Sequence, residues 1–401
     1  MHLKNISFKT AKNDIIAGII VALVSIPISM GYAQIAGLPA AYGLYGSLIP
    51  VLVYALTTSS PQFVFGVDAT PAVLVGGRLA TLGITTGSDE AMRLVPVITL
   101  VVAAWLLIFS LIKAGRIVNY ISTPVMGGFI SGIGITIILM QVPKLFGGAA
   151  GTGELIALLL HIADQLQYFN VLSAVLGFGT VIIILVCKKY MPKFPMSVML
   201  MALGAMATAF LHIDRYGVRL LPHVDAGFPK IVIPDITLLR NNTSDIIVLG
   251  LTCALVIMAQ TLLATNNYAN RYGYKVDNNR EVLAYSLANV ASAVSGSCPL
   301  NGSVSRTGIA NQFGCKSQLM SVTAAVTMLV VLFATPLLEY LPVPILTGIV
   351  VAALIGIVEY KLAGKLRKVN RAEFFIFLAA MFGVLLFGTI YGVIIGVILS
   401  F

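Results

Sequence analysis

Apolar stretches long enough to cross a bilayer recur from Ile15 to the end of the chain, separated by polar connections, and this pattern fixes the fold class. A crossing helix needs about 20 mainly apolar residues, because in hydrocarbon each backbone N–H and C=O must be satisfied within the protein. Spans are expected near 15–36, 41–58, 94–113, 122–142, 171–188, 195–212, 246–265, 281–296, 318–338, 343–359, 372–387 and 388–401. Only 10% of the residues are charged, against about 25% in a soluble domain. The expectation is an all-α polytopic membrane protein. Met1 to Asn13 is polar and the first apolar run passes through Pro27 without a small-residue cleavage site, so that run reads as a mature span.

The formal charge of +10 raises the question of a polyanionic partner, and its placement answers it. Lys4, Lys9 and Lys12, then Lys113 and Arg116, then Lys188, Lys189 and Lys193, then Arg271, Lys275 and Arg280, and Lys361 through Arg371 all fall in connections. With a cytoplasmic N-terminus these groups all lie inside, as the positive-inside rule requires. Topology accounts for the charge, and no nucleic acid is expected. A multi-pass protein of the cell inner (plasma) membrane, in contact with lipid, follows.

Two segments break the pattern. Ser60 to Leu82 and Gly296 to Gly314 are interrupted by Gly, Pro and polar residues, and each holds an ionisable residue near its middle. Each reads as an extended stretch followed by a short half-helix, a form tolerated at membrane depth only inside protein or beside a water-filled cavity. Asp14-Ile-Ile opens the first span and Asp245-Ile-Ile opens the span after the connection 213–244, with a broken segment following at similar distance in both halves. Counting the broken segments gives seven crossings per half, and an odd number inverts the second half relative to the first. The expected architecture is 14 transmembrane segments in two inverted repeats, about 13–212 and 245–401, with the two half-helices meeting at the midplane, where secondary transporters place their substrate.

The half-helix starts carry the candidate chemistry. Ser303, Val304, Ser305 and Arg306 stand at the start of the second, where unpaired N–H donors and a partial positive charge suit an anion. Arg306 adds a permanent cation; its alternative role is a structural pair with a carboxylate. Asp68, Ala69 and Thr70 hold the matching place in the first. Asp68 reads either as a proton-titrating coupling group or as the N-cap of its half-helix, and the two roles are compatible. The first span contributes Tyr32, near Pro27, Ser29 and Gln34, and Tyr32 serves equally well as a packing residue. In the span 246–265, Gln260 and Thr261 are polar, and Gln260 is a second coupling candidate able to hydrogen-bond a neighbouring helix.

No phosphate loop, H-E-x-x-H or G-x-S-x-G motif occurs, which argues against ATP-driven transport in this chain and against a membrane hydrolase. The four cysteines and four histidines are scattered without metal-ligand spacing, so no metal and no cofactor is expected.

Pro27 to Tyr45 (PISMGYAQIAGLPAAYGLY), Asn279-Arg280-Glu281 with Ala288-Asn289, Ser303-Val304-Ser305-Arg306-Thr307, and Phe387-Gly388 through Gly392 to Ser400 together resemble the sulfate permease (SulP) family. The resemblance implies a uracil-permease-like fold of seven plus seven segments, divided into interleaved core and gate subdomains that work as an elevator. It implies an anion site at Ser303, Ser305 and Arg306, lined opposite by Tyr32 and the neighbourhood of Asp68 to Thr70, and a homodimeric assembly. Family members carry a cytosolic STAS domain after the last span; none follows Phe401, and the apolar ending reads as a truncation. Gln260 stands where many prokaryotic members have a glutamate, which counts against proton coupling there. Asp68 holds a place often occupied by an uncharged residue.

The leading expectation is a secondary active transporter of a small inorganic anion such as sulfate or bicarbonate, working by alternating access with H⁺ or Na⁺ symport or by exchange. The alternatives are a nucleobase-type permease, an anion channel and a non-transporting membrane scaffold. An enzyme is the least expected.

Overall fold

The computed structural model describes residues 8–115, 123–151, 153–191, 194–221, 228, 231–241, 243–334, 339–356 and 358–388. In chain order it contains α1 (Phe8–Ile35), α2 (Ala41–Tyr45), α3 (Ile49–Thr57), strand β1 (Phe65–Val67), α4 (Ala69–Thr81) and α5 (Asp89–Leu111). Next come α6 (Thr123–Leu145), α7 (Leu155–Gln165), α8 (Val171–Tyr190), α9 (Met196–Leu211), α10 (Thr243–Tyr272) and α11 (Asn278–Val294). Strand β2 (Leu300–Gly302) leads into α12 (Val304–Gln312), followed by α13 (Leu319–Phe333), α14 (Val343–Ile355), α15 (Tyr360–Val369) and α16 (Arg371–Phe387). The expected final span, 388–401, lies outside the described residues apart from Gly388.

The chain forms two compact units, each assembled from both halves of the sequence. Unit 1 comprises 1–119 and 224–336, and unit 2 comprises 120–223 and 337–401. In unit 1, α1 packs on α13, and α11 packs on α3 and α5. The α1–α13 approach depends on Gly18, where an added Cβ would lie 2.5 Å from the Met320 carbonyl oxygen. In unit 2, α6 packs on α16, and α14 packs on α6 and α8. Helices including α1, α5, α8 and α10 are long and apolar enough to cross a membrane.

The broken segments fold as expected. Pro61 biases Ser60 away from helix and helps end the α3 region, and an extended chain follows until Asp68. In hydrocarbon an unpaired strand leaves its N–H and C=O groups unsatisfied at a cost of several kcal/mol each (roughly, per group). Here β1 and β2 solve this by pairing with each other, antiparallel, with Phe65 opposite Gly302, Gly66 opposite Asn301 and Val67 opposite Leu300. Helices α4 and α12 have 13 and 9 residues, so at 1.5 Å per residue they extend roughly 20 Å and 14 Å, short of a ~30 Å hydrocarbon core.

Four expectations need correction. The span expected at 41–58 is two helices, α2 and α3, separated at Gly46–Leu48. Asp14 does not open the first span: α1 already begins at Phe8, and Asp14 is fully buried, accepting hydrogen bonds from the Lys316 and Ser317 amides and the Ser317 hydroxyl. It thus satisfies backbone donors just ahead of α13, whereas Asp245, in the first turn of α10, pairs with Arg78. The segment 155–165, outside every expected span, is the helix α7. The basic connection after 359 is also not a loop. It is the helix α15, because Leu362 and Leu366 recur at a helical spacing among its lysines and arginines.

Candidate functional site

The antiparallel register of β1 and β2 carries the chain to the starts of α4 and α12 in the same region of unit 1. Asp68 is the N-cap of α4, its Oδ1 accepting from the Ala69 amide at 2.7 Å. Ser303 is the N-cap residue of α12, with extended backbone, and its amide donates to the Val64 carbonyl at 2.9 Å. Thr307, one turn later, donates its hydroxyl to the Ser303 carbonyl at 2.7 Å and accepts from the Val64 amide at 3.0 Å. The start of α12 is therefore stitched to the residue just before β1.

Arg306 sits between the two helix starts and is 3% exposed. Its Nη2 donates to the Val67 carbonyl at 2.6 Å and lies 3.5 Å from Asp68 Oδ2. Both sequence readings of Arg306 thus hold geometrically: it is a buried cation at the half-helix starts, and it is paired with a carboxylate. Gly66 makes room for it, since a Cβ there would stand 3.2 Å from Nη1. The pairing does not engage every N–H of the guanidinium. Arg306 Nε has no acceptor among the described residues, and the side chain lines a cavity of about 20 Å³ together with Ser25, Ser47 and Ser321. That volume holds about one ordered water.

The other expected site residues fall around this pair. Tyr32 on α1 is buried within electrostatic reach of both Asp68 and Arg306, and Ala69 and Thr70 are buried in the first turn of α4. Val304, by contrast, is 52% exposed, and Ser305 is exposed beside it, its Oγ 3.4 Å from the Ser303 Oγ. These two form the open side of the α12 start. Gln260 lies in α10, where its Oε1 accepts from Asn301 Nδ2 at 2.7 Å. Asn301 Oδ1 in turn accepts from Thr261 at 2.6 Å, and Thr261 Oγ1 accepts from the Gly302 amide at 3.0 Å. The Gln260 amide and α10 thereby brace β2 rather than standing apart as a lone polar group.

Sequence reasoning missed Asn301 and Gln318. Asn301 is fully committed between Gln260 and Thr261, and Gln318 donates to the Ser60 and Phe63 carbonyls on the approach to β1. An Asn between two strand residues at membrane depth was the available signal for the first. Glu281 was noted only within a motif, yet it is completely buried. Its Oε1 accepts from the Thr58 and Ser59 hydroxyls and the Ser59 and Ser60 amides, and its Oε2 from the Tyr54 hydroxyl. It anchors the loop that feeds β1.

A many-helix membrane protein in which two short helices start face to face, their leading strands paired and a buried ion pair between them, defines a polytopic protein of the broken-helix class. Residues 11–380 match the family described as "Sulfate permease family". The chain belongs to the sulfate permease family, a family of membrane transporters and not of enzymes. It is 28% identical over 407 residues to "Sulfate transporter 3.1" of Arabidopsis thaliana, covering 98% of this chain and 62% of that protein. It is likewise 28% identical over 409 residues to "Low affinity sulfate transporter 3" of Stylosanthes hamata, covering 97% and 64%. The chain thus spans less than two thirds of the length of these relatives. In fold it is similar to the structure titled "The overall structure of SLC26A9", with a TM-score of 0.90 at 20% identity over 99% of this chain and 66% of that one. It is also similar to "The transmembrane domain of a cyanobacterium bicarbonate transporter BicA", with a TM-score of 0.85 at 21% identity over 97% and 98%.

Proposed function

We propose that the chain is the membrane domain of a secondary transporter for a small inorganic anion, which binds at the facing starts of α4 and α12. The observation that carries this reading is Arg306, a buried guanidinium held between two helix N-termini with its Nε–H left without an acceptor among the described residues. Amide donors, helix dipoles and a permanent cation converge there, and together they favour an anion over a cation or a neutral ring. The exposed hydroxyl of Ser305 adds a donor on the open side. The names of the plant relatives and of the cyanobacterial neighbour, a sulfate and a bicarbonate transporter, point to the same chemical class.

Asp68 is the proposed coupling group. Its charge opposes an incoming anion while it pairs with Arg306, so protonation of the carboxyl frees the guanidinium and makes anion binding and proton binding mutually favourable. Gln260 holds its place in the support of β2, and its amide does not titrate.

The antiparallel pairing of corresponding segments supports the arrangement of seven plus seven inverted segments, because equivalent strands related by a two-fold axis meet antiparallel. Unit 1 is the proposed moving core and unit 2 the gate of an elevator-type cycle, in a homodimer of the plasma membrane with the N-terminus cytoplasmic. A thermal-shift and uptake panel of sulfate, bicarbonate, nitrate and chloride, across pH and Na⁺, tests this. One anion should stabilise the parent protein and not Arg306→Ala; equal behaviour of the two proteins across the whole panel would overturn the site.

A further inference from the structure

Unit 2 carries a basic surface that anion binding in unit 1 does not use. Helix α14 ends at Ile355 and α16 begins after its N-cap Asn370, so α15 is confined to the connection between two apolar helices, at the level where they end. Its inner face is apolar: Leu366 is buried, and Leu362 Cδ2 lies 2.5 Å from where a Cβ on Gly127 of α6 would be. Its outer face presents Lys361, Lys365, Arg367 and Lys368, all exposed.

Neighbouring elements extend the same charge. Arg371 opens α16 and is exposed. Helix α8 ends in the exposed Lys188 and Lys189, and Lys188 Nζ stands 3.0 Å from the point a Gly356 Cβ would occupy, so the end of α8 joins the end of α14. The acidic groups of these elements at this end are Glu359 and Glu373, of which Glu373 accepts a hydrogen bond from Asn370. Seven cations therefore face two carboxylates. Tyr190 and Tyr360 stand exposed beside Lys189 and Lys361, which lie over their rings at 5.4 and 6.0 Å. Amphipathic aromatic rings concentrate where hydrocarbon gives way to headgroups.

We propose that the face formed by α15, the end of α8 and the start of α16 binds the phosphodiester headgroups of anionic phospholipids. The occupant follows from position and charge. A basic helix lying in the interface with its apolar side packed on protein offers its charges to the headgroup layer, and Lys and Arg donors match a phosphodiester in charge and hydrogen bonding. Such binding is confined to the lipids of one leaflet. Lipid retention is measured without any flux, so the proposal stands or falls separately from anion transport.

The test is native mass spectrometry of the full chain released from nanodiscs of equal phosphatidylglycerol and phosphatidylcholine. The parent should retain phosphatidylglycerol preferentially, and the quadruple variant Lys361→Gln, Lys365→Gln, Arg367→Gln, Lys368→Gln should lose that preference by about tenfold. Lys365→Arg with Lys368→Arg should keep it. Should the quadruple variant fail to fold, Lys188→Gln with Lys189→Gln, together with a salt titration on the parent, decides the matter, since headgroup pairing weakens as the screening length shortens below about 10 Å. Unchanged lipid preference in whichever neutralised variant folds would overturn the proposal. So would displacement of the bound lipid by a soluble acidic polypeptide at physiological salt, because the face would then be a protein-docking surface.

Discussion

Asp68 and Arg306 stand at the starts of two different short helices, and their side chains approach to 3.5 Å inside unit 1. Each half of the chain supplies one member of the pair. The carboxylate caps its own helix through the Ala69 amide while facing the guanidinium, so one residue serves both local structure and the site.

Asp68→Asn separates those two roles. Asparagine keeps a capping oxygen, and its capping strength is close to that of aspartate, so the start of α4 should be retained. The negative charge beside Arg306 is gone. Uptake in proteoliposomes should then lose its dependence on pH while anion affinity rises at neutral pH; an unchanged pH profile removes Asp68 from coupling.

Arg306→Ala removes charge-assisted hydrogen bonds worth about 1.5–3 kcal/mol each, which predicts a loss of anion affinity of roughly ten- to a hundredfold for a single bond. Asp68 would also be left buried without its cation. Arg306→Lys restores the charge but not the planar fork, so partial recovery is expected. Equilibrium binding of labelled anion measures both.

Glu281→Ala should be among the most damaging substitutions distant from the half-helix starts. The carboxylate takes hydrogen bonds from five donors in a fully buried setting, and two of those donors are backbone amides that cannot turn elsewhere. Each unsatisfied buried donor costs about 1–3 kcal/mol. A drop in thermal unfolding temperature in detergent, larger than that of Arg306→Ala, is the expected outcome; equal stability would show that the loop finds other partners.

Gly302→Ala tests the close approach of β2 to its support. An added Cβ would stand 2.4 Å from Thr261 Cγ2 and 2.5 Å from Phe63 Cε1, and such overpacking costs about 1–3 kcal/mol. Because Ser303 and Arg306 follow directly, anion affinity should fall along with the unfolding temperature. Loss of stability with unchanged affinity would mean that α12 is held independently of its strand.

The amino-acid sequence alone established the membrane class, the two interrupted segments and the half-helix starts at Asp68 and Ser303, because hydropathy, Pro and Gly act within a few residues of where they stand. The same local signals named Arg306 as an intramembrane cation. They also located the lysines and arginines of 361–371, and Leu362 and Leu366 stood there to be read as the inner side of a helix.

What only tertiary structure decided was which distant groups meet. Asp14 and Asp245 occupy matching tripeptides, yet one is buried under the Lys316 and Ser317 amides and the other pairs with Arg78. Asn301 and Glu281 became supports for β2 and for the loop before β1 through partners far along the chain. Hydrogen bonding and ion pairing at membrane depth are settled by contact, and contact between segments is set by packing of the whole unit, which no local pattern encodes.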